Sequence, residues 1–205
     1  MTQKERQEKS KKEIGKAAME EFGTHHYSEV TMESICTKHG ISKGMMYHYF
    51  NGKDPLFLLC VEQMFQALWT HLEKNKELLE SADVDNAVQQ YFSIREDFFL
   101  HHPKERMIYE NAILRPPEHL QEDIQKLRQP MREFNQKFLN HAISKLPLRE
   151  GISLEEAIRY FDSVECFFWP LQQRFQTGKQ QAGWHTMEND AQKLLDLLLY
   201  GIVKR

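Results

Sequence analysis

Apolar residues recur every three or four positions along most of the chain, and this spacing predicts helices. The apolar stripe of the first helix consists of Ile14, Ala17, Ala18 and Phe22. This helix is expected to end at Gly23, and a long helix should begin at Asp54, where an aspartate cap precedes Pro55. Further helices are predicted near residues 84–101, 104–114, 118–145, 153–177 and 186–203. The sequence shows no convincing alternation typical of a strand, so the predicted fold is all-α.

Two short helical patterns around a glycine turn occupy residues 31–50. Thr31 is placed to cap the first helix, because its hydroxyl can accept a hydrogen bond from an unpaired amide of the first turn. The apolar positions of that helix are Met32, Ile35 and Cys36. Gly40 stands where the chain must reverse, a position that favours positive φ, and Ser42 can cap the second helix. The pattern therefore predicts a helix-turn-helix.

The second of these helices has one apolar and one polar face. The apolar face, which is expected to pack on the core, holds Met46, Tyr49 and Phe50. The polar face holds Lys43, Gly44, Tyr47 and His48. The lysine can neutralise phosphate charge, the glycine permits a close approach, and the phenol and imidazole can donate to phosphates or base edges. This face is suited to duplex DNA.

This segment resembles, over residues 14–57, the N-terminal domain of the TetR family of bacterial transcriptional regulators. Residues 31–36, T-M-E-S-I-C, resemble the family's T-(V/M)-x-x-I-A, and residues 40–50, G-I-S-K-G-M-M-Y-H-Y-F, resemble its G-V-S-K-G-T-L-Y-H-Y-F. Lys53 and Leu56 continue the family's F-x-x-K-x-x-L. Many positions match at fixed spacing, which is more specific than helical periodicity alone.

The resemblance implies a three-helix DNA-binding domain of residues 1–53 and a larger helical effector-binding and dimerisation domain of residues 54–205. The residues predicted to contact DNA are Thr31, Ser42, Lys43, Gly44, Met45, Tyr47, His48 and Lys53. Lys53 precedes the N-terminal end of the long helix and is expected to hold a phosphate beside its unpaired amides. Met45 replaces a threonine of the family, so it offers an apolar contact, for example to a thymine methyl, instead of a hydroxyl.

Charge adds little to this prediction. The net charge of the 205-residue chain is −3, and residues 1–55 hold nine Lys and Arg against eight Asp and Glu. Bulk charge therefore does not indicate a nucleic-acid partner, and the local polar face carries the prediction. The mixed-charge run of residues 1–12 is interpreted first as a solvated helix face and second as a basic arm that contacts phosphates.

Several classes of protein are disfavoured by what the sequence lacks. It has no long apolar run and no apolar leader, so we expect a cytoplasmic protein with no membrane partner. Cys36, Cys60 and Cys166 form no C-x-x-C, which argues against a disulfide framework or a zinc finger. No G-x-S-x-G, glycine-rich phosphate loop or H-E-x-x-H is present, so we expect no enzyme, no metal site and no cofactor.

The second part of the chain is rich in aromatic residues, most of which are expected to be ordinary core. A bundle of helices with many bulky side chains can leave a cavity for a small apolar ligand, and the resemblance implies an effector pocket. The residues predicted to line it are Phe65, Trp69, Tyr91, Tyr109, Phe138 and Phe168. The expected effector is therefore small and hydrophobic.

The last predicted helix is apolar almost all round over residues 194–203. A helix that is apolar on every side needs cover on every side, and a second subunit can supply the missing cover. We predict a homodimer through this helix and the one that contains residues 161–175. The resemblance implies the same arrangement, in which the last two helices of each subunit form a four-helix interface.

The functional hypothesis is a ligand-responsive repressor that binds a roughly palindromic operator in double-stranded DNA. Release from the operator would follow the binding of a small hydrophobic effector. One alternative keeps the fold and the DNA binding without an effector, as in a nucleoid-associated or cell-division factor. A minor alternative is redox sensing through Cys36 or Cys60.

Overall fold

The computed structural model describes residues 2–81, 84–160, 190, 193–194, 196–197, 199 and 201. These residues form helices α1 Gln3–Phe22, α2 Met32–His39, α3 Lys43–Tyr49, α4 Lys53–Lys74, α5 Lys76–Ser81, α6 Val84–His101, α7 Pro103–Tyr109, a π-helix Glu110–Leu114, a 3₁₀-helix Glu118–Leu120 and α8 Gln121–Ser144. Residues 154–160 are also helical. No strand occurs within these described ranges, and the all-α prediction is confirmed.

The helix-turn-helix forms where the local signals place it. The Thr31 hydroxyl accepts from the amide of Ser34 at 3.0 Å, and the Ser34 hydroxyl accepts from the amide of Thr31 at 3.1 Å. Gly40 ends α2 in the left-handed region at φ 65°, which a residue with a Cβ rarely adopts. The Ser42 hydroxyl then accepts from the amide of Met45 at 3.2 Å and starts α3. Both predicted caps and the predicted turn are confirmed.

The structure contains two compact units. The first consists of residues 1–67 and 99–128, and the second of the described residues among 68–98 and 129–205. In the first unit, the rings of Phe22 and Phe57 lie 5.1 Å apart, and Tyr27 packs 4.9 Å from Phe57. Packing of these rings holds α1 and the loop after it against the start of α4, since each large aromatic removes much apolar surface from water.

Gly23 ends α1 as predicted, although the reason is steric. Its φ is −81°, a value open to any residue, so the helix end needs no left-handed conformation there. A Cβ at Gly23 would lie 2.6 Å from the Cβ of Lys104 and 2.5 Å from the carbonyl oxygen of Met19. The glycine therefore permits α1 and α7 to approach closely.

Candidate nucleic-acid interface

The outer face of α3 is open to solvent. Lys43, Gly44 and His48 are exposed, and 59% of Tyr47 is accessible, whereas Met46 is completely buried on the opposite side. A Cβ added to Gly44 would meet no atom within 4 Å. Internal packing therefore places no demand on a glycine at this position, and the surface there can accept a partner at close range. The remaining predicted DNA contacts differ in exposure, since Thr31 and Ser42 are exposed and Met45 is half-buried.

Lys43 is held by a neighbour that the sequence pattern did not reveal. Its ammonium donates to Oε1 of Glu33 at 2.7 Å, and both side chains are largely exposed. This hydrogen bond, with the attraction between the two charges, raises the pKa of Lys43 and lowers the pKa of Glu33. The exposed N-terminal end of α3 thus carries an ion pair. An acidic residue in the first turn of α2 is the one local signal that could have suggested it.

Lys53, the first residue of α4, is half-buried and already has partners. Its ammonium donates to the carbonyl oxygens of Tyr27 at 3.0 Å and Val30 at 3.2 Å, and lies 4.1 Å from the centre of the Tyr27 ring. These contacts hold the loop between α1 and α2 against the start of α4. They account for two of the three donors of the ammonium group.

The buried carboxylate of Glu21, on α1, joins this helix to α2. Glu21 accepts a hydrogen bond from the Lys38 ammonium at 2.8 Å, and the His39 Nε2 lies 3.2 Å from its other oxygen. Burial alone would raise the pKa of Glu21, but the hydrogen bonds from Lys38 and His39 and the charge of Lys38 outweigh burial, so the pKa is lowered. Glu21 therefore fixes α2, on which α3 depends for its position.

The loop between α1 and α2 also binds a distant part of the same unit. Asn111, in the π-helix and only 2% exposed, donates through Nδ2 to the carbonyl oxygen of His25 at 3.1 Å. Its Oδ1 accepts from the amide of Tyr27 at 3.4 Å and lies 3.3 Å from Nδ1 of His26. Arg115 Nη1 lies 3.3 Å from the other nitrogen of His26. The segment after α7 is thus connected directly to the loop that leads into the helix-turn-helix.

A second connection from this segment runs through Asp54. The Tyr27 hydroxyl donates to Asp54 Oδ1, and the His119 Nε2 lies 2.9 Å from Asp54 Oδ2. The hydrogen bond from Tyr27 lowers the pKa of Asp54, while burial and the neighbouring carboxylate raise the pKa of Tyr27 above its usual range. The prediction that Asp54 caps α4 needs correction, since the helix already begins at Lys53 and this carboxylate binds side chains.

The predicted pocket residues fall into separate clusters. Trp69, which is 41% exposed, and Phe138 line a cavity of about 390 Å³ in the second unit. The other residues that line it are Glu73, Lys76, Leu79, Pro130, Glu133, Phe134, Lys137 and His141. Tyr91 stacks on Phe138 at 5.2 Å without lining this cavity. Phe65 and Tyr109 pack 6.3 Å apart in the first unit. Phe168 lies outside the described residues.

The structure bears on the sequence predictions about cysteines, metal sites and membrane helices. Cys36 and Cys60 are buried free thiols, and burial raises the pKa of Cys60 to about 12. A thiol in this state is a poor nucleophile, which disfavours redox sensing at Cys60. The part of the chain that the structure describes holds no group of three metal-ligating side chains. Among its helices, none is both long and apolar enough to cross a bilayer.

Comparison with known proteins matches a segment of the chain to a family and most of the chain to a known fold. Residues 14–60 match the family described as bacterial regulatory proteins, tetR family. The HTH-type transcriptional repressor NicS of Pseudomonas putida is 25% identical over 97 residues, which are 47% of this chain. The match spans only 45% of that repressor.

Solved structures resemble almost the whole chain at low sequence identity. A transcriptional regulator from Cytophaga hutchinsonii has a TM-score of 0.66 at 15% identity, over 93% of this chain and 97% of its own. The regulator PfmR of the TetR family from Thermus thermophilus has a TM-score of 0.55 at 20% identity, over 95% and 96% of the two chains. At such identities the likeness establishes the fold alone.

Proposed function

We propose that this chain is a transcriptional repressor that is released from its operator by a small hydrophobic effector. The premise is that residues 14–60 place the chain in the TetR family of bacterial regulatory proteins. In this proposal, residues 1–53 bind DNA, and residues 54–205 bind the effector and form a dimer in the cytoplasm. The family consists of regulators and not of enzymes, so the prediction that the chain is not an enzyme is confirmed.

The observation that carries the proposal is the open outer face of α3. Lys43 and Tyr47 project from it, and the surface over Gly44 is clear of protein atoms. A recognition helix needs this combination, because its backbone must enter the major groove while cationic and hydroxyl groups reach phosphates and base edges. The buried Met46 on the opposite side keeps this face turned outward.

The other predicted contacts have definable roles at such an interface. Thr31 and Ser42 lie at the N-termini of α2 and α3, where exposed amides and hydroxyls suit phosphate oxygens. Met45 offers an apolar surface to a thymine methyl, and His48 offers a ring nitrogen. Lys53 keeps one donor for a phosphate beyond the two carbonyl oxygens that it already binds.

The cavity beside Trp69 is our proposed effector site. Its apolar wall includes Trp69, Phe134 and Phe138, and its polar residues include Glu133 and Lys137, so it suits a small amphipathic molecule with an apolar body. Effector binding releases DNA only if the ligand prefers the conformation with the weaker DNA affinity. Helix α4 carries both Lys53 and Trp69, which makes it the element through which we propose that the two events are linked.

The proposed dimer presents two copies of α3 to successive major grooves. The operator should therefore be roughly palindromic, with half-sites separated by about one helical turn or slightly more. The two helices predicted to form the interface lie largely outside the described residues. Leu197 in the last of them is described, and 70% of it is exposed in the single chain, as expected for a residue that a second subunit covers.

Alanine substitution at Lys43 and Tyr47 tests the proposal. Operator fragments are first selected by the full chain from a random DNA pool, and their affinity is then measured by gel shift. The double variant should lose operator binding while circular dichroism and sedimentation stay unchanged, because both side chains are exposed. Lys126→Ala is the matched control, since Lys126 is an exposed, ion-paired lysine on α8. Undiminished affinity of the double variant would refute the assignment of α3.

Thermal-shift screening tests the effector site separately. Hydrophobic amines, acyl thioesters and aromatic compounds are screened with the intact chain, because a ligand that binds the folded state raises its melting temperature by mass action. A genuine effector should stabilise the wild type and lose its effect in Phe138→Ala. If operator binding persists and no compound class stabilises the chain, the alternative of an architectural or cell-division factor without an effector is favoured.

A further inference from the structure

We infer that Glu33 and Lys43 act together as a reader of one G·C base pair in the operator. The proposal rests on the DNA-binding function proposed above. Glu33 lies in the first turn of α2, Lys43 is the first residue of α3, and their charged groups are in contact at 2.7 Å. With 72% and 64% of the two side chains exposed, the pair lies on the surface that the proposed function assigns to DNA.

The position of the pair matches the part of the motif that reads bases. In a docked helix-turn-helix, the N-terminal residues of the recognition helix contact base edges in the major groove. Lys43 begins that helix, and its hydrogen bond brings the Glu33 carboxylate to the same place. The acidic group is therefore carried to the bases along with the lysine.

A carboxylate at this place requires an explanation. Phosphates repel it, and a carboxylate can only accept hydrogen bonds. The major groove offers two kinds of amino donor, the N4 group of cytosine and the N6 group of adenine. Glu33 can recover the electrostatic cost of facing DNA by accepting from one of them.

The geometry of the ion pair favours guanine with cytosine. In a G·C pair, the O6 acceptor of guanine and the N4 donor of cytosine are joined by a Watson–Crick hydrogen bond of about 2.9 Å. An ammonium and a carboxylate at 2.7 Å can meet this edge side by side, the ammonium on O6 and the carboxylate on N4. A T·A pair presents the same order through O4 and N6, but guanine adds N7 as a second acceptor for the lysine. The A·T and C·G orientations reverse the order and oppose donor to donor.

The test compares base preferences of the full-length wild type and Glu33→Ala. Both proteins select operators from one random pool at fixed salt, and each position of the wild-type operator is then replaced in turn. In the wild type, one symmetric pair of positions should prefer G·C over A·T and C·G by roughly five- to 150-fold, with T·A between them. Glu33→Ala should flatten that position alone and bind random DNA more tightly, because a negative charge has been removed.

Glu122→Ala is the matched control, because Glu122 forms an exposed ion pair with Lys126 on α8. It should leave both the preference and the affinity unchanged. If Glu33→Ala binds every sequence more tightly with an unaltered preference, Glu33 only repels phosphate and the inference is wrong. If the wild type selects no motif at all, the proposed function fails together with this inference.

Discussion

Gly44 is a helical glycine that the fold itself does not require. Its backbone is helical, and the space beside it is empty, so an added methyl group would meet no protein atom. Gly44→Ala should therefore leave the free energy of unfolding unchanged or raise it by up to about 1 kcal/mol, since alanine favours helices. Operator affinity should nevertheless fall at least tenfold, because the methyl group keeps the recognition helix away from DNA. Urea denaturation and gel shift measure the two effects.

Gly15→Ala is the matched control for this prediction. Gly15 also lies within a helix, and a Cβ there would contact Leu59 Cδ2 at 3.5 Å, an ordinary van der Waals distance. Like Gly44→Ala, Gly15→Ala should not lower the free energy of unfolding. Unlike Gly44→Ala, it should leave operator affinity unchanged. Equal affinity for the operator in both variants would mean that α3 does not approach DNA closely at Gly44.

Glu21 makes the stability of the packing between α1 and α2 depend on pH. Because its pKa is lowered in the folded state, the unfolded chain binds the proton more readily. The stabilisation is complete above the ordinary glutamate pKa of about 4.3 and is lost as the pH falls through the lowered value. Glu21→Gln should cost roughly 1–3 kcal/mol at neutral pH, since it weakens charged hydrogen bonds, and should reduce the loss of stability in acid.

Denaturant titrations between pH 3 and 7, a range that brackets the ordinary carboxylate pKa, check this expectation. Glu13→Gln serves as a control, because Glu13 lies on the same helix in an exposed pair with Lys9. It should change stability by less than about 0.5 kcal/mol. Parallel pH profiles for the wild type and Glu21→Gln would show that another group causes the acid sensitivity.

The residues that sequence reasoning placed correctly obey local rules. Thr31, Gly40 and Ser42 act on atoms within about one helical turn, so their roles follow from spacing alone. The partner of Lys43, Glu33, lies ten positions earlier in the sequence, across the turn. The spacing of apolar residues does not indicate this pair. Gly23 shows the same limit, because the α7 residue that demands a glycine is 81 positions away in the sequence.

At the scale of elements, the connection between the π-helix and the α1–α2 loop is the feature with the largest consequence. Asn111 satisfies a carbonyl and an amide of that loop from a buried position. Asn111→Ala should destabilise the fold by roughly 1–3 kcal/mol, because it leaves buried polar groups without partners. The Tyr27 amide should also exchange its hydrogen faster, which exchange followed by mass spectrometry can detect.

Asn51→Ala is a suitable comparison, since Asn51 is exposed between α3 and α4. It should alter neither global stability nor exchange at Tyr27. If Asn111→Ala likewise leaves the exchange unchanged, the loop is held mainly by Lys53 and by the hydrogen bond between Tyr27 and Asp54.

Element boundaries divide into those that sequence could predict and those that it could not. Helix α6 runs from Val84 to His101, as the periodicity predicted. The predicted helix over 104–114 is instead α7 followed by a π-helix, and the one over 118–145 begins with a 3₁₀ turn. These changes in helix type coincide with tertiary hydrogen bonds from Asn111 and His119, which local propensity does not encode.

At the scale of the whole molecule, the proposed dimer should depend on the exposed side of the last helix. Leu197→Glu should shift the chain from dimer to monomer in sedimentation equilibrium at micromolar concentration, because it places a charge where a partner would cover an apolar side chain. Operator affinity should fall with it. Leu100→Glu is the control, since Leu100 is 67% exposed on α6 and lies outside the proposed interface. A wild type that is monomeric at the same concentration would contradict the dimer.

The burial of Cys60 has a practical consequence for measuring the dynamics of the N-terminal unit. Its sulfur is inaccessible in the folded chain, and its high pKa leaves almost no thiolate at neutral pH. Maleimide can therefore modify it only during moments when the surrounding helices separate. In a chain with Cys36→Ser and Cys166→Ser, Cys60 is the single remaining thiol, so its rate of alkylation would report the rate at which the core opens. Operator DNA should slow this alkylation.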